Sequence, residues 1–283
     1  MITAKPQPQA QKADADIPAE AARSDVAART DDAAFILPRV ETAAEASPAL
    51  PVGEALPDWE PRPLPTRVVL TGRYCRLEPL DTARHADALW TAYAQAPDPA
   101  RDWTYLSVGP FADVQSFREY IARIAAQRDP LHFAVVDLAS ERPLGTLALM
   151  NVRPTHGVVE VGFVAFSPAL QRSRLATEAQ FLLMTYVFQT LGYRRYEWKC
   201  DSLHQRSRNA ALRLGFQYEG TFRQAIVYKG RSRDTAWFAL IDKGWPRVQA
   251  ALSQWLRPEN FDAHGTQLSR LKHCHQSLNA SSL

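Results

Sequence analysis

Between Val158 and Phe216 the chain leaves little freedom in what it can fold into. Val158–Phe166 is dense in Val, Phe and Gly, rich in strand formers and too short to cross a membrane. Ser167-Pro168 ends the run. After the basic turn Gln171-Arg172-Ser173-Arg174, apolar residues recur at Leu175, Ala179, Leu182, Leu183, Tyr186, Val187 and Leu191. That spacing predicts one long amphipathic helix, with Gly192 at its C′ position. Arg195–Cys200 then reads as a second strand, and Arg206–Leu214 as a second helix stopped by Gly215.

A buried strand that passes through a basic turn into a helix N-terminus suits an anion. The first backbone N–H groups of a helix have no intrahelical partner, and the helix dipole is positive there. Arg172 and Arg174 add full charges that can fork onto phosphate oxygens. The plainer alternative is that the two arginines solubilise a turn.

The residues from Gln171 to Glu178, the helix they open, and Asp201…Ser207…Leu214-Gly215-Phe216 resemble the acetyl-CoA core of the GCN5-related N-acetyltransferase (GNAT) superfamily. The likeness covers roughly residues 71–241. Phe222-Arg223-Gln224…Lys229-Gly230-Arg231…Arg233-Asp234-Thr235 also resembles the ending of the ribosomal-protein N-terminal acetyltransferase (RimJ/RimL-like) branch. The resemblance implies an α/β (α+β) acyl-CoA N-acyltransferase fold, a mixed twisted sheet with helices on both faces. It implies acetyl-CoA as co-substrate, no metal, and direct transfer of the acetyl group to a primary amine, either a protein N-terminus or a small amine. In that family a Gln/Arg-x-x-Gly-x-Gly/Ala turn cradles the coenzyme's pyrophosphate, and an Asn-x-x-Ser/Ala helix lies along its pantetheine. Carried over by position, the coenzyme residues are Phe163, Val164 and Phe166 on the strand, the turn Gln171, Arg172, Ser173, Arg174, Leu175, Ala176 and Thr177, and His204 and Ser207 on the second helix. Two positions depart from the pattern. Arg174 stands where the turn glycine is expected, so φ > 0 is not freely available there, and His204 stands where the family has Asn.

Acetyl transfer to an amine needs a neutral amine, a polarised carbonyl and a proton donor for the departing thiolate. Glu160 is the only acidic residue in an otherwise apolar strand and shares a face with Val158, Gly162 and Val164. Partial desolvation there suits a base acting through water, a role the family often gives a glutamate near this position. The alternative is a structural Glu paired with an Arg such as Arg153. A helix brings Ser207, Ala211 and Leu214 to one face. Many family members carry a tyrosine acid at the place of Ala211, which leaves Ser207 as the donor toward the sulfur, or as a residue that merely completes a helix N-terminus. Cys200 reads as an inert small hydrophobe, because direct transfer needs no acyl-enzyme. In the superfamily the loop between the first two helices lines the acceptor pocket. Trp103 and Tyr105 are therefore expected either to touch substrate or to pack against the sheet.

Taken in order, residues 1–57 are acidic and rich in Ala and Pro, and are expected to be disordered. Phe35-Ile36-Leu37-Pro38 within them is either a docking motif or a chance apolar cluster. The acetyltransferase domain is placed at 64–257, and 258–283 reads as a loose tail. Strands are predicted at Val68–Leu80 with a turn at Thr71-Gly72, His132–Leu138, Pro143–Val152, Tyr218–Tyr228 and Thr235–Ile241. Helices are predicted at 82–96 capped by Asp81, from Asp113 to about Arg128, and at Trp245–Leu256.

Charge and cysteine usage narrow the setting. The first sixty residues hold 5 Lys/Arg against 11 Asp/Glu, a balance of −6, while the whole chain carries +3. The basic remainder suits an anionic co-substrate and is too mild for direct nucleic-acid binding. Three cysteines without metal spacing fit a reducing compartment. No apolar run is long enough for a membrane helix and no leader is evident, so the cytoplasm and no membrane partner are expected. His264, His273 and His275 have no ligand spacing. A homodimer stays open. A catalytically silent acyl-CoA-binding regulatory module, motivated by Arg174 and the missing tyrosine, is the alternative to an enzyme, and transfer of a longer acyl chain is a third reading.

Overall fold

A computed structural model describes residues 50–280. Most of the expected N-terminal disordered segment, including Phe35–Pro38, lies outside the described residues. The chain separates into a unit ending at Ala55 and another beginning at Leu56.

Asp81 caps the first helix, α1 (Thr82–Ala94), by accepting the N–H of Arg84 at 2.9 Å. Asp113 and Ser116 form a reciprocal capping box at the start of α3 (Val114–Ala125), and the short α2 (Pro99–Asp102) lies between the two. The strands are β1 (Leu70–Thr71), β2 (Cys75–Pro79), β3 (Leu131–Asp137), β4 (Pro143–Arg153) and β5 (Val158–Phe166), then β6 (Arg195–Asp201), β7 (Gln217–Tyr228) and β8 (Arg231–Ile241). They form one sheet in the order β1-β2-β3-β4-β5-β6-β8-β7. All neighbours are antiparallel except β5 and β6, which run parallel. The parallel pair needs a crossover, supplied by α4 (Arg174–Thr185). Helix α5 (Gln205–Arg213) follows β6, and α6 (Trp245–Trp255) and α7 (Leu271–Ala280) close the chain.

The alternation of side chains along the strands feeds two cores. Leu77, Phe133, Val135, Leu147, Val159, Val161, Tyr196 and Trp198 face α4, α5 and α6. Leu80, Ala134 and Val136 point the other way, against Leu89 of α1 and Phe117 and Ile121 of α3. The expected mixed sheet with helices on both faces is the fold observed.

Two expectations need correction. The single long helix is α-helical only to Thr185 and continues as a π-turn over Tyr186–Thr190. Tyr186, Val187 and Phe188 of the π-turn are all buried, so the widened turn lies inside the core, where packing and not local sequence period sets the helix geometry. The described part of 258–283 is also not a loose tail. Leu271 and Cys274 on α7 are buried in the main core, and Phe261 meets Trp255 edge-on with centroids 5.0 Å apart. Apolar residues spaced along a polar segment docked on α6, a long-range contact that local composition does not reveal.

The buried carboxylate of Glu178 on α4 joins that helix to the β1–β2 turn. It accepts the backbone N–H groups of Arg73 (2.8 Å), Tyr74 (2.7 Å) and Cys75 (2.8 Å). Its carboxyl group occupies the space where any Cβ on Gly72 would sit, with Cδ 2.5 Å from that position. Truncating it leaves three N–H groups to be satisfied another way. Glu178→Ala is therefore expected to lower folding stability by about 3 kcal/mol, read as a fall in the urea midpoint with an unchanged m-value.

Candidate active site

Strands β5 and β6 pair only from Val158–Arg195 to Val161–Trp198. Beyond that point β5 stays with β4 as far as Phe166, while β6 stays with β8 as far as Asp201. The two central strands therefore part in the middle of the sheet. Phe163, just past the last shared pair, has φ +48°, and the β4–β5 register shifts there. A bulge at this position bends β5 away from its parallel neighbour. Val164 and Phe166 continue along the diverging edge, both partly buried.

The strand ends at the basic turn. Gln171 donates to the carbonyl of Phe166 at 2.8 Å and approaches Asp102 of α2 at 3.4 Å. Arg172 is exposed and takes φ +60°, and Ser173 caps α4 by accepting the N–H of Ala176 at 3.1 Å. The left-handed residue of the turn is thus Arg172, two positions before the missing glycine. Arg174 is the first residue of α4 in ordinary helical conformation, so the expected conflict there does not arise. Its guanidinium lies over the rings of Tyr74 (4.3 Å) and Phe261 (5.5 Å). Leu175 and Ala176 are half-buried, and Thr177 is buried and accepts from Arg213 of α5 at 3.0 Å.

Around the gap the two faces of the sheet differ. On the α4/α5 face, Trp198 donates its indole N–H to Ser207 Oγ at 2.9 Å. Cys200 is buried beside them, and burial pushes its thiol up against the opposing hydrogen bond from Ser207. The thiol stays protonated, as expected of an inert cysteine. On the α1/α3 face lies Glu160, only 5 % exposed. Its Oε2 takes Lys199 Nζ at 2.6 Å and Asn151 Nδ2 at 2.8 Å. Arg153, the partner considered from sequence, pairs instead with Glu197 at 2.9 Å. Burial alone would push Glu197 up, but Lys199 and Arg195 outweigh it and hold the carboxyl below the usual range.

His204 precedes α5 and stacks on Tyr105, with centroids 4.3 Å apart and planes 14° from parallel. Burial pushes its imidazole down, so it is neutral near pH 7. Tyr105 thereby joins the loop after α2 to the end of the gap. Trp103 turns inward, edge-on to Tyr93 (5.5 Å) and Phe111 (5.2 Å), and lines an apolar pocket of about 250 Å³ with them. Lys229, at the tip of the β7–β8 hairpin, donates to the Trp103 carbonyl at 2.6 Å. The structure thus places Glu160 and Ser207 on opposite faces of the sheet at the closed end of one gap and draws Tyr105 to His204. It leaves Trp103 in the α1/α3 core.

Lys199, Asn151 and Trp198 were not singled out by the sequence reading. A signal existed in β6, where Arg195, Glu197, Lys199 and Asp201 alternate with Tyr196, Trp198 and Cys200. That alternation marks a strand with one fully charged face; its burial at Glu197 and Asp201 is decided by the packing around it.

Residues 75–217 match the family described as the acetyltransferase (GNAT) domain. The chain belongs to this family. A GCN5-related N-acetyltransferase from Brucella melitensis is 46 % identical, with a TM-score of 0.76 over 78 % of this chain and all of that one. A probable GNAT-family acetyltransferase from Chromobacterium violaceum is 41 % identical, with a TM-score of 0.65 over 71 % of this chain and all of that one. The uncharacterized N-acetyltransferase p20 of Bacillus licheniformis is 27 % identical over 146 residues, 49 % of this chain and 79 % of that protein. This GNAT domain is accordingly an acetyltransferase.

Beside the bulge of the GNAT domain, His132 of β3 is 3 % exposed, with its ring 5.3 Å from that of Phe163. Among the described residues neither ring nitrogen has a hydrogen-bond partner, and burial pushes its pKa down to about 4. Between pH 6.5 and about 4 the unfolded chain binds a proton at His132 that the folded chain does not. Stability is therefore expected to fall by about 3 kcal/mol as pH drops through this window and to lose no more from this group below it. His132→Phe should remove that share, read as a wild-type-minus-variant difference in urea unfolding across the window.

Proposed function

We propose that this chain moves the acetyl group of acetyl-CoA directly to a primary amine, on a protein N-terminus or a small molecule, in the cytoplasm. The observation that carries this reading is the parting of β5 from β6 with a carboxylate on one face of the gap and a hydroxyl on the other. The likeness of Phe222–Thr235 to the ribosomal-protein branch favours a protein N-terminus within that range.

The residues fit the coenzyme. The freed edge of β5 past Val161 offers backbone groups to an extended amide-bearing chain such as pantetheine. The N-terminus of α4, with exposed Arg172 beside it, suits a diphosphate. The guanidinium of Arg174 is held over Tyr74 and Phe261, which weighs against one of the two grounds for a silent binding module, the other being the missing tyrosine. Acetyl-CoA, when bound, supplies a thioester carbonyl open to attack. No metal is called for in this reading.

Glu160 takes the proton that the acceptor's ammonium gives up, directly or through one water. Ser207 gives a proton toward the sulfur on the other face. The Trp198 indole donates to Ser207 Oγ, a contact that orients the hydroxyl without using the serine's own hydrogen. Tyr105 and His204 form the wall of the acceptor entrance, with the loop that carries Trp103 behind them.

Free-thiol release from acetyl-CoA with a panel of small amines and N-terminal peptides tests the reading. Tight coenzyme binding without thiol release above background for any acceptor would refute it. Glu160→Gln is expected to lower kcat by about 10²–10⁴-fold. Ser207→Ala should lower kcat more than it weakens acetyl-CoA binding, and Arg172→Ala should do the reverse; the opposite pattern in calorimetry and steady-state kinetics would overturn both roles.

A further inference from the structure

Lys199 is the first residue of β6 beyond the last pair it shares with β5. Its side chain is 14 % exposed, and its ammonium is held on three sides. Glu160 Oε2 lies 2.6 Å away, Glu197 Oε2 2.9 Å away, and the ring of Trp237 on β8 has its centroid at 3.9 Å. Trp237 is the cross-strand partner of Lys199 and is itself stacked on Phe222 at 4.6 Å. The ammonium therefore has little room to move.

Glu197 has other cations, since Arg153 and Arg195 both donate to its Oε1 at 2.9 and 2.7 Å. Among the described residues Glu160 has one cation, Lys199, and one neutral donor, Asn151. Asn151 is held in a left-handed conformation, φ +50°, with its backbone N–H on Asp129 at 3.0 Å. Both contacts to Glu160 fall on Oε2 and neither engages Oε1. The sheet does not need this ion pair, because β5 and β6 are already hydrogen-bonded at the level of Glu160 and Glu197. A buried ion pair also contributes little net stability of its own.

We infer that Lys199 is a positioning residue: with Asn151 it holds Glu160 by one oxygen so that the other, Oε1, faces the gap to receive the acceptor's proton. In that step an N–H bond of the ammonium breaks, an O–H bond forms at Oε1, and the electron pair stays on nitrogen. The role of Lys199 rests on the proposed role of Glu160 as base.

The test uses the full chain and the variants Lys199→Met, Lys199→Arg, Glu160→Gln and the Glu160→Gln/Lys199→Met pair. Kinetics are measured with acetyl-CoA and the best acceptor from the amine and peptide panel, and calorimetry gives the acetyl-CoA Kd. Lys199→Met is expected to lower kcat about 100-fold, with the KM and Kd for acetyl-CoA unchanged within a factor of about two. Lys199→Arg should recover most of the loss, and the double variant should be no slower than Glu160→Gln alone. Full activity in Glu160→Gln would remove the base role itself. Loss in Glu160→Gln with full activity in Lys199→Met, or losses that multiply in the double variant, would overturn the positioning role alone. Crystal structures of wild type and Lys199→Met read the same point without any acceptor: a rotated Glu160 carboxylate is expected, and an unmoved one overturns the inference.

Discussion

Strand β5 has two neighbours that it cannot both follow. It keeps its antiparallel ladder with β4 to Phe166, while β6 is held in register with β8 to Asp201. The bulge at Phe163 resolves the conflict by bending β5 away after Val161. Opening a sheet at its centre forfeits ladder hydrogen bonds and leaves backbone groups that must find partners elsewhere. That unmet demand makes the gap suited to an extended, amide-bearing ligand. Side-chain alternation at the same opening puts Glu160 and Ser207 on different faces of the sheet.

Charge in the interior is handled in three different ways. Glu178 is satisfied by backbone N–H groups and fastens α4 to the first hairpin. Glu197 is surrounded by Arg153, Arg195 and Lys199, enough positive charge to overcome the penalty of burial. Glu160 has the sparest set, one ammonium and one amide, both on one oxygen. A carboxylate meant only to stabilise a fold would gain from the first or second arrangement. The third leaves Oε1 of Glu160 out of both contacts.

The C-terminal segment bears on the turn into α4 from outside the domain boundary drawn from sequence. Phe261 and Tyr74 share the guanidinium of Arg174, and the Tyr74 hydroxyl donates to the Leu256 carbonyl at 2.9 Å. An arginine where the turn pattern calls for glycine is accommodated because these aromatic faces draw its side chain off the turn. The chain also shifts the left-handed residue to Arg172, which keeps the turn's shape without that glycine.

Apart from α2, α7 and the π-turn, element types and order were legible in the sequence from local signals: period-2 strands, the caps Asp81 and Asp113, and the stop glycines Gly192 and Gly215, at φ +68° and +99°. The turn into α4 and the positions of Glu160 and Ser207 were legible too, because each is set by neighbours within a few residues. The ion partner of Glu160, the inward turn of Trp103, the resting place of the Arg174 guanidinium and the docking of α7 were not. Each joins residues far apart in the chain, such as Glu160 with Lys199 or Trp103 with Lys229. Local sequence determines which backbone a segment adopts, through sterics and nearest-neighbour hydrogen bonds. Only the packed tertiary structure decides which buried charge meets which, because that depends on how the strands are ordered and where two of them part.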